Sequence, residues 1–448
     1  MKLVNKYIFL ILLNWLTLTI LHTANAENTL NETAILFQNV RIFDGKNATL
    51  SSPSNVLVRG KTIERISASP IRVEGNVRII KGDNRTLMPG LSDMHWHTML
   101  VRPTPAQLLD SGVGYINLLA GAEATATLMR GFTTVRDMGG ASFGLKRAID
   151  EEILPGPRIY PSGAIITITG GHGDFRQISD LPRTSGTLSR IEQIGGSMIA
   201  DSPDEVRLRV REQLMQGASQ IKLTAGGGVA SPFTPLDVST FTEAELRAAV
   251  EAAENWGTYV STHTYTSASI QRSIAAGVKV IEHGHLMDED TAKLMADKGI
   301  WLSTQPFLDL TPAEALGAQE QEKMGQVVAG TDRVYELAKK YKIKTAFGTD
   351  ILFSERLAKQ QGSMLAAMKR WYTPAEALIM ATSTNGELLQ LSGPRNPYPG
   401  KLGVVEEGAL ADLLLVDGNP LENIDLVADP EKNFRVIMKD GKIYKNSL

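Results

Sequence analysis

The 448-residue chain is predicted to be an α/β protein, a (β/α)8 TIM barrel with a small β-sandwich domain formed from both chain ends. Three observations predict it. Between about Leu87 and Gln390, short β-branched runs alternate with helix-like stretches such as Glu243 to Trp256 and Glu289 to Lys298, the texture of βα units around a parallel sheet. Eight such runs can be counted, the number a closed barrel needs. Both ends of the chain are instead rich in short alternating segments broken by glycine.

Residues 1–26 read as a secretory signal peptide. Lys2 and Lys6 precede an apolar run from Tyr7 to Ile20, and Ala24-Asn25-Ala26 supplies the small residues of a cleavage site. Asn14 and His22 interrupt the segment, which falls short of the roughly 20 apolar residues of a membrane span. An exported protein, periplasmic or secreted, with no stable membrane anchor after cleavage is expected.

Residues 27–87 are assigned to the first part of the β-sandwich. Ile35 to Gly45 and Asn55 to Ser67 read as strands, the second folding into a hairpin at Gly60. Residues 396–448 supply the rest, through Ala411 to Asp417 and a hairpin from Val436 to Tyr444 that turns at Asp440-Gly441. Residues 88–395 form the barrel. Its strands are read at Thr86 to His97, Thr133 to Met138, Arg158 to Gly163, Gln220 to Ala225, Tyr259 to Tyr265, Val278 to Gly284, Trp301 to Gln305 and Thr345 to Asp350. An open doubly wound sheet is the competing arrangement, but no glycine-rich dinucleotide fingerprint opens a helix after the first strand.

Composition narrows the chemistry. The chain has 46 Lys and Arg against 49 Asp and Glu, a net charge of −3, too balanced for a protein that binds nucleic acid by neutralising many phosphates. It has no cysteine, which excludes disulfides, thiolate metal sites, iron–sulfur clusters and a cysteine nucleophile. Any metal must be held by histidine, carboxylate or a modified lysine.

Those residues gather where the strands end. His95 and His97 sit two apart on one strand, so their imidazoles point the same way. His263 closes the fifth strand, His283 the sixth and Asp350 the eighth, and strand ends are where TIM barrels carry their catalytic groups. A single loop histidine is more often a hydrogen-bonded polar residue than a ligand. The set together, imidazoles completed by a carboxylate, is the donor pattern of a metal site with an open position. His285 lies two residues beyond His283, so spacing alone does not say which of the two binds metal.

Five segments carry a family resemblance: Pro89-Gly90-Leu91-Ser92-Asp93-Met94-His95-Trp96-His97, Gly131-Phe132-Thr133-Thr134-Val135-Arg136-Asp137, Gln220-Ile221-Lys222, Glu282-His283-Gly284 and Gly348-Thr349-Asp350. In this order they resemble the amidohydrolase superfamily, and within it the metal-dependent prolidase-like group of Xaa-Pro dipeptidases, carboxypeptidase-like enzymes and N-acyl amino acid amidohydrolases. The resemblance runs from about Ile35 to the C-terminus. It implies a binuclear site in which His95, His97 and Asp350 hold the more buried metal and His263 and His283 the more exposed one. Lys222 matches a lysine that such enzymes carboxylate with CO2 to form a bridging carbamate. The metals are expected to be divalent, Zn2+ by the donor types. They would activate water for attack on an amide, with Asp350 as both ligand and catalytic proton acceptor.

The same resemblance implies that His172 and Tyr265 contact the substrate's α-carboxylate. His172 also opens a long connection reaching about Asp204, the kind of loop that often forms a lid or binding surface. The flanking Glu282 and Gly284 favour His283 as the ligand, leaving His285 to line the pocket or back the ligands. Val229 and Ala230 are expected to shape the pocket, and Arg136 with Asp137 to form either a buried ion pair at the barrel mouth or a substrate contact. The expected function is hydrolysis of a small-molecule amide, a dipeptide or N-acyl amino acid with a free carboxylate, by an enzyme compatible with homo-oligomer formation. Two alternatives stand beside it: a cyclic-amide, imidazolone-type or lactone hydrolase on the same scaffold, and a catalytically silent exported barrel that binds peptides.

Overall fold

The computed structural model describes residues 33–182, 186–231, 233–308 and 317–448. The signal peptide expected at residues 1–26 lies outside them. The described chain begins with β1 (Ala34–Ile42), β2 (Ser54–Arg59), β3 (Thr62–Ser67), β4 (Val77–Lys81) and β5 (Thr86–Pro89). The barrel segments follow as β6 (Leu91–Trp96), β7 (Phe132–Asp137), β8 (Arg158–Pro161), β9 (Ile165–Thr167), β10 (Ser197–Ile199), β11 (Ile221–Thr224), β12 (Val260–Thr266), β13 (Val280–Leu286), β14 (Trp301–Thr304) and β15 (Thr345–Phe347). The chain ends with β16 (Leu413–Val416), β17 (Phe434–Lys439) and β18 (Lys442–Asn446).

Both chain ends build one sheet, ordered β18-β17-β16-β5-β1-β2-β3 with β4 against β1. β1 serves two halves of it. Its first residues pair with β2 and β4, and its last, Arg41 and Ile42, pair with Thr86 and Leu87 of β5. The sheet closes over Phe37, Val56, Ile63, Leu413, Leu415 and Val436, drawn from both ends of the sequence. Burial of such β-branched and aromatic side chains is what holds the ends together. The hairpins turn at Gly60 and at Asp440-Gly441, as the sequence predicts.

One strand is corrected. The run from Thr86 to His97 is two strands in two sheets: β5 pairs with β16 of the sandwich, while β6 pairs with β7 of the barrel. Gly90 is the crossing point. A Cβ there would lie 2.1 Å from Thr133 Oγ1, so only glycine lets the chain pass so close to β7.

The barrel strands are parallel throughout their pairings. The third strand is split into β8, which pairs with β7, and β9, which pairs with β11. Two hydrogen bonds complete the ring. Ser219 N donates to Pro161 O at 2.8 Å between β8 and β11, and Asp350 N to His95 O at 2.8 Å between β15 and β6. The strands are wrapped by helices with clear start and stop chemistry. Thr242 and Glu245 form a capping box at the start of Glu243–Glu254, Asp288 caps Glu289–Lys298, and Gly299 ends that helix in the left-handed conformation. The long connection after β9 is partly structured, for it carries β10 and the helical turn Arg190–Gln193. No helix among the described residues is long and apolar enough to cross a membrane.

Candidate active site

The strand ends bring His95, His97, Lys222, His263, His283 and Asp350 around one recess. His95 and His97 leave β6 on the same side, ring centroids 5.3 Å apart, while Trp96 between them packs among Met99, Leu108 and Val135. His283 has φ 77°, which breaks the alternation of β13 so that Glu282 and His283 both reach the interior. The His283 ring then lies 4.9 Å from His95 and 4.3 Å from His263.

Three of the rings, His97, His263 and His283, have one nitrogen fixed by an oxygen acceptor. His97 Nδ1 lies 3.2 Å from Gly139 O, His263 Nε2 lies 2.9 Å from Gly227 O, and His283 Nδ1 lies 2.7 Å from Gln305 Oε1. An oxygen that can only accept requires the hydrogen on the nitrogen it faces. The nitrogens left over are His97 Nε2, His263 Nδ1 and His283 Nε2. His95 Nδ1 approaches Glu282 Oε2 at 2.9 Å, off ideal hydrogen-bond alignment, with Gln305 Nε2 at 3.2 Å on its other side. On the other side of the ring, His95 Nε2 faces Lys222 Nζ at 3.3 Å and Asp350 Oδ1 at 3.3 Å.

Burial, ahead of any neighbouring charge, holds His95, His263 and His283 well below the usual histidine range, so these rings are neutral. The site thus sets imidazole nitrogens against a carboxylate: Asp350 Oδ1 is 3.2 Å from His97 Nε2 and 3.3 Å from His95 Nε2. Nitrogen and carboxylate oxygen gathered this closely suit a cation between them. His283 Nε2 is fully buried with no partner among the described residues, and donor atoms of His95, His283 and Asp350 fall within 4.8 Å of one another. The residues present fit a metal site, with outer oxygens orienting each imidazole in the usual manner. Burial also lowers Lys222 to about 8, so its amine is readily neutral.

The recess opens into a cavity of about 520 Å3 whose walls are mainly apolar, among them Phe175, Val229, Ala230, Phe233, Phe307 and Leu352. His172, His263, Tyr265 and Asp350 form its floor. The His172 ring stacks on His263 at 4.2 Å, and burial pushes it down to about 3. Tyr265 stands edge-on to His263 at 4.9 Å, and burial, then Asp350, pushes its phenol well above 10, so it keeps its hydrogen. His285 lies apart from this floor. It is buried behind the ligands, stacked on Phe307 at 5.1 Å, with Nε2 donating to Gln305 O at 3.0 Å.

The Arg136–Asp137 expectation is corrected. Arg136 reaches across the barrel to Glu282 at 2.6 Å and also donates to Met94 O at 2.7 Å, while Asp137 bonds Thr98 and, at 3.1 Å, Gly139 N. Neither residue lines the cavity. Consecutive strand residues point to opposite sides, so a pair adjacent in sequence was a poor candidate for pairing. Sequence reasoning assigned no role to Glu282, Gln305 or Asp93. Asp93 accepts from His95 N, Thr349 N, Thr349 Oγ1 and Gln361 Nε2, tying the first strand to the eighth. Glu282 and Asp93 stand in the same motifs as His283 and His95, and an acid one or two residues before those histidines was the available signal.

A closed barrel that gathers imidazoles, a carboxylate and a buried lysine at its strand ends defines a class, the barrel hydrolases that work at a strand-end metal site. The chain belongs to the amidohydrolase family, whose model matches residues 86–445. It is similar to ochratoxinase from Aspergillus niger, 32% identical over 372 residues that cover 80% of this chain and 75% of that one. Among solved structures it is similar to an amidohydrolase, with 35% identity and a TM-score of 0.86 over 93% of this chain and 100% of the other. A prolidase in complex with N-methylphosphonate-L-proline matches at 32% identity and a TM-score of 0.84, again over 93% of this chain and 100% of that one. The resemblance carried by the five motifs is borne out, and with it the barrel fold and a hydrolase acting on amide C–N bonds, which sets the silent binder aside.

Proposed function

We propose that the protein is a binuclear-metal amidohydrolase that cleaves dipeptides or N-acyl amino acids bearing a free carboxylate, as Xaa-Pro dipeptidases and carboxypeptidase-like enzymes do. The observation that carries this reading is the set of imidazole nitrogens converging on Asp350. His95, His97 and Asp350 would hold one ion, His263 and His283 the other, and nitrogen with carboxylate oxygen suits Zn2+. Lys222 would bridge the two as a carbamate. A buried amine lowered to about 8 supports this, since only a neutral amine adds CO2.

When bound, the metal pair supplies an acidified water and polarises the scissile carbonyl. The remaining steps belong to the chain. Asp350, at the rim between recess and cavity, accepts the proton of the attacking water and returns it to the departing amine nitrogen. His172 and Tyr265, both neutral, donate hydrogen bonds to the substrate carboxylate. The apolar walls exclude water and hold the side chains that flank the amide. The likeness to a prolidase and to ochratoxinase supports an amide substrate. Export to the periplasm or beyond is proposed from the pattern of residues 1–26 alone.

The test is a panel of Xaa-Pro and Xaa-Arg dipeptides and N-acyl aromatic amino acids offered to the zinc-loaded protein. Turnover is expected to fall about tenfold or more when the substrate carboxylate is amidated, the effect of losing a charge-assisted hydrogen bond. Preference for cyclic amides or lactones over the whole panel would overturn the assignment.

A further inference from the structure

Behind the cavity wall lies a set of side chains that this reaction does not use. Ser231 Oγ accepts a hydrogen bond from Gly173 N at 2.9 Å and lies 2.8 Å from His172 Nδ1. With one lone pair taken by Gly173 N, the Ser231 hydroxyl keeps its hydrogen to donate, and His172 Nδ1 is the acceptor within reach. His172 Nε2 has no partner among the described residues, on a ring that lines the cavity, and it carries the ring hydrogen when Nδ1 accepts from Ser231. The segment carrying Ser231 is itself fastened from below. Lys323, 6% exposed on the helix Ala318–Tyr341, donates to Ser231 O at 2.7 Å, Gly228 O at 3.1 Å and Thr234 O at 3.3 Å, which uses all three ammonium hydrogens. Thr234 Oγ1 donates to Gly170 O at 2.8 Å, tying the segment to the loop of His172.

We propose that Ser231 and Lys323 are positioning residues for substrate binding: Lys323 fixes the main chain around Ser231, and Ser231 sets His172 in its Nε2–H form, presenting the cavity with a donor for a substrate oxygen. The inference rests on the reading that this cavity receives the substrate. It adds which nitrogen of His172 meets the ligand and which residues decide that. Gly228 belongs to the same device, since a Cβ there would lie 2.0 Å from His172 Nδ1.

The experiment uses zinc-loaded protein labelled with 15N-histidine, with the His172 signals identified by their loss in His172→Ala. The wild-type spectrum is expected to show a protonated Nε2 and an unprotonated Nδ1. Ser231→Ala is expected to mix the two forms and raise KM about tenfold, the effect of one hydrogen bond, with kcat and zinc content near wild type, and Ser231→Thr to restore both. A wild-type ring protonated at Nδ1, or a Ser231→Ala protein with unchanged KM, overturns the proposal. Lys323→Met is expected to raise KM in the same way, and a wild-type KM in that variant removes Lys323 from it. Failure of the wild type to hydrolyse any member of the panel would overturn the functional reading, while the nitrogen spectrum would still decide the His172 form.

Discussion

His95 and Asp350 are joined twice. Asp350 N donates to the His95 carbonyl at 2.8 Å, and their side chains face each other with Nε2 and Oδ1 3.3 Å apart. The first and last barrel strands thus close the ring through the same two residues whose side chains meet in the recess. Barrel closure and site assembly are one event here, and Asp93, bonded to both His95 N and Thr349 N, fastens it.

Asp350→Asn keeps the shape and the main-chain bond to His95 but removes the proton acceptor. Its kcat is expected to fall by about three orders of magnitude, within the range of a lost general base, with the melting temperature nearly unchanged. Steady-state kinetics beside a thermal melt checks this, and near-wild-type turnover would take Asp350 out of the proton-transfer role.

Arg136 and Glu282 are both fully buried, and each is the other's counter-ion. Arg136→Met leaves the buried Glu282 carboxyl without its arginine partner, an expected loss of about 3–5 kcal/mol in urea unfolding. The double variant Arg136→Met with Glu282→Leu should recover part of that loss. A single variant as stable as wild type would show that the pair does not carry this charge balance.

Gly228→Ala adds one methyl group where none fits, against the His172 ring. Displacement of that ring by about an ångström is expected to cost roughly a hundredfold in kcat/KM, while zinc content, set by other side chains, stays at the wild-type value. Equal losses of zinc and activity would instead mean that the clash spreads through His263 to the metal recess.

Lys222 is expected to add 13CO2 in the presence of zinc and 13C-bicarbonate, giving a carbamate carbon signal that Lys222→Ala lacks. A metal-loaded protein without that signal would reduce Lys222 to a buried amine beside His95.

Much of this was legible in the sequence because it depends on local periodicity. The two-residue spacing of His95 and His97, the alternation of β-branched runs with helices, and the hairpins at Gly60 and Gly441 follow from chain geometry alone. What stayed hidden depends on partners remote in sequence. Arg136 finds Glu282 at a separation of 146 residues, and Lys323 finds Ser231 at a separation of 92. The break at Gly90 carried a local signal, the Pro89-Gly90 pair, but which sheet each half joins depends on the remote partners β16 and β7. His285 could not be separated from His283 by spacing, since only the backbone turn at His283 decides which ring enters the recess.

The central claim is that the converging imidazoles and Asp350 hold two catalytic metal ions. Titrating chelated, inactive protein with Zn2+ while measuring bound metal and hydrolysis of the best panel substrate tests it most directly. Activity is expected to return in step with uptake of about two ions per chain, the capacity of a binuclear site. Full hydrolysis in the metal-free protein, or metal uptake unchanged when His95 and His283 are both replaced by alanine, would contradict it.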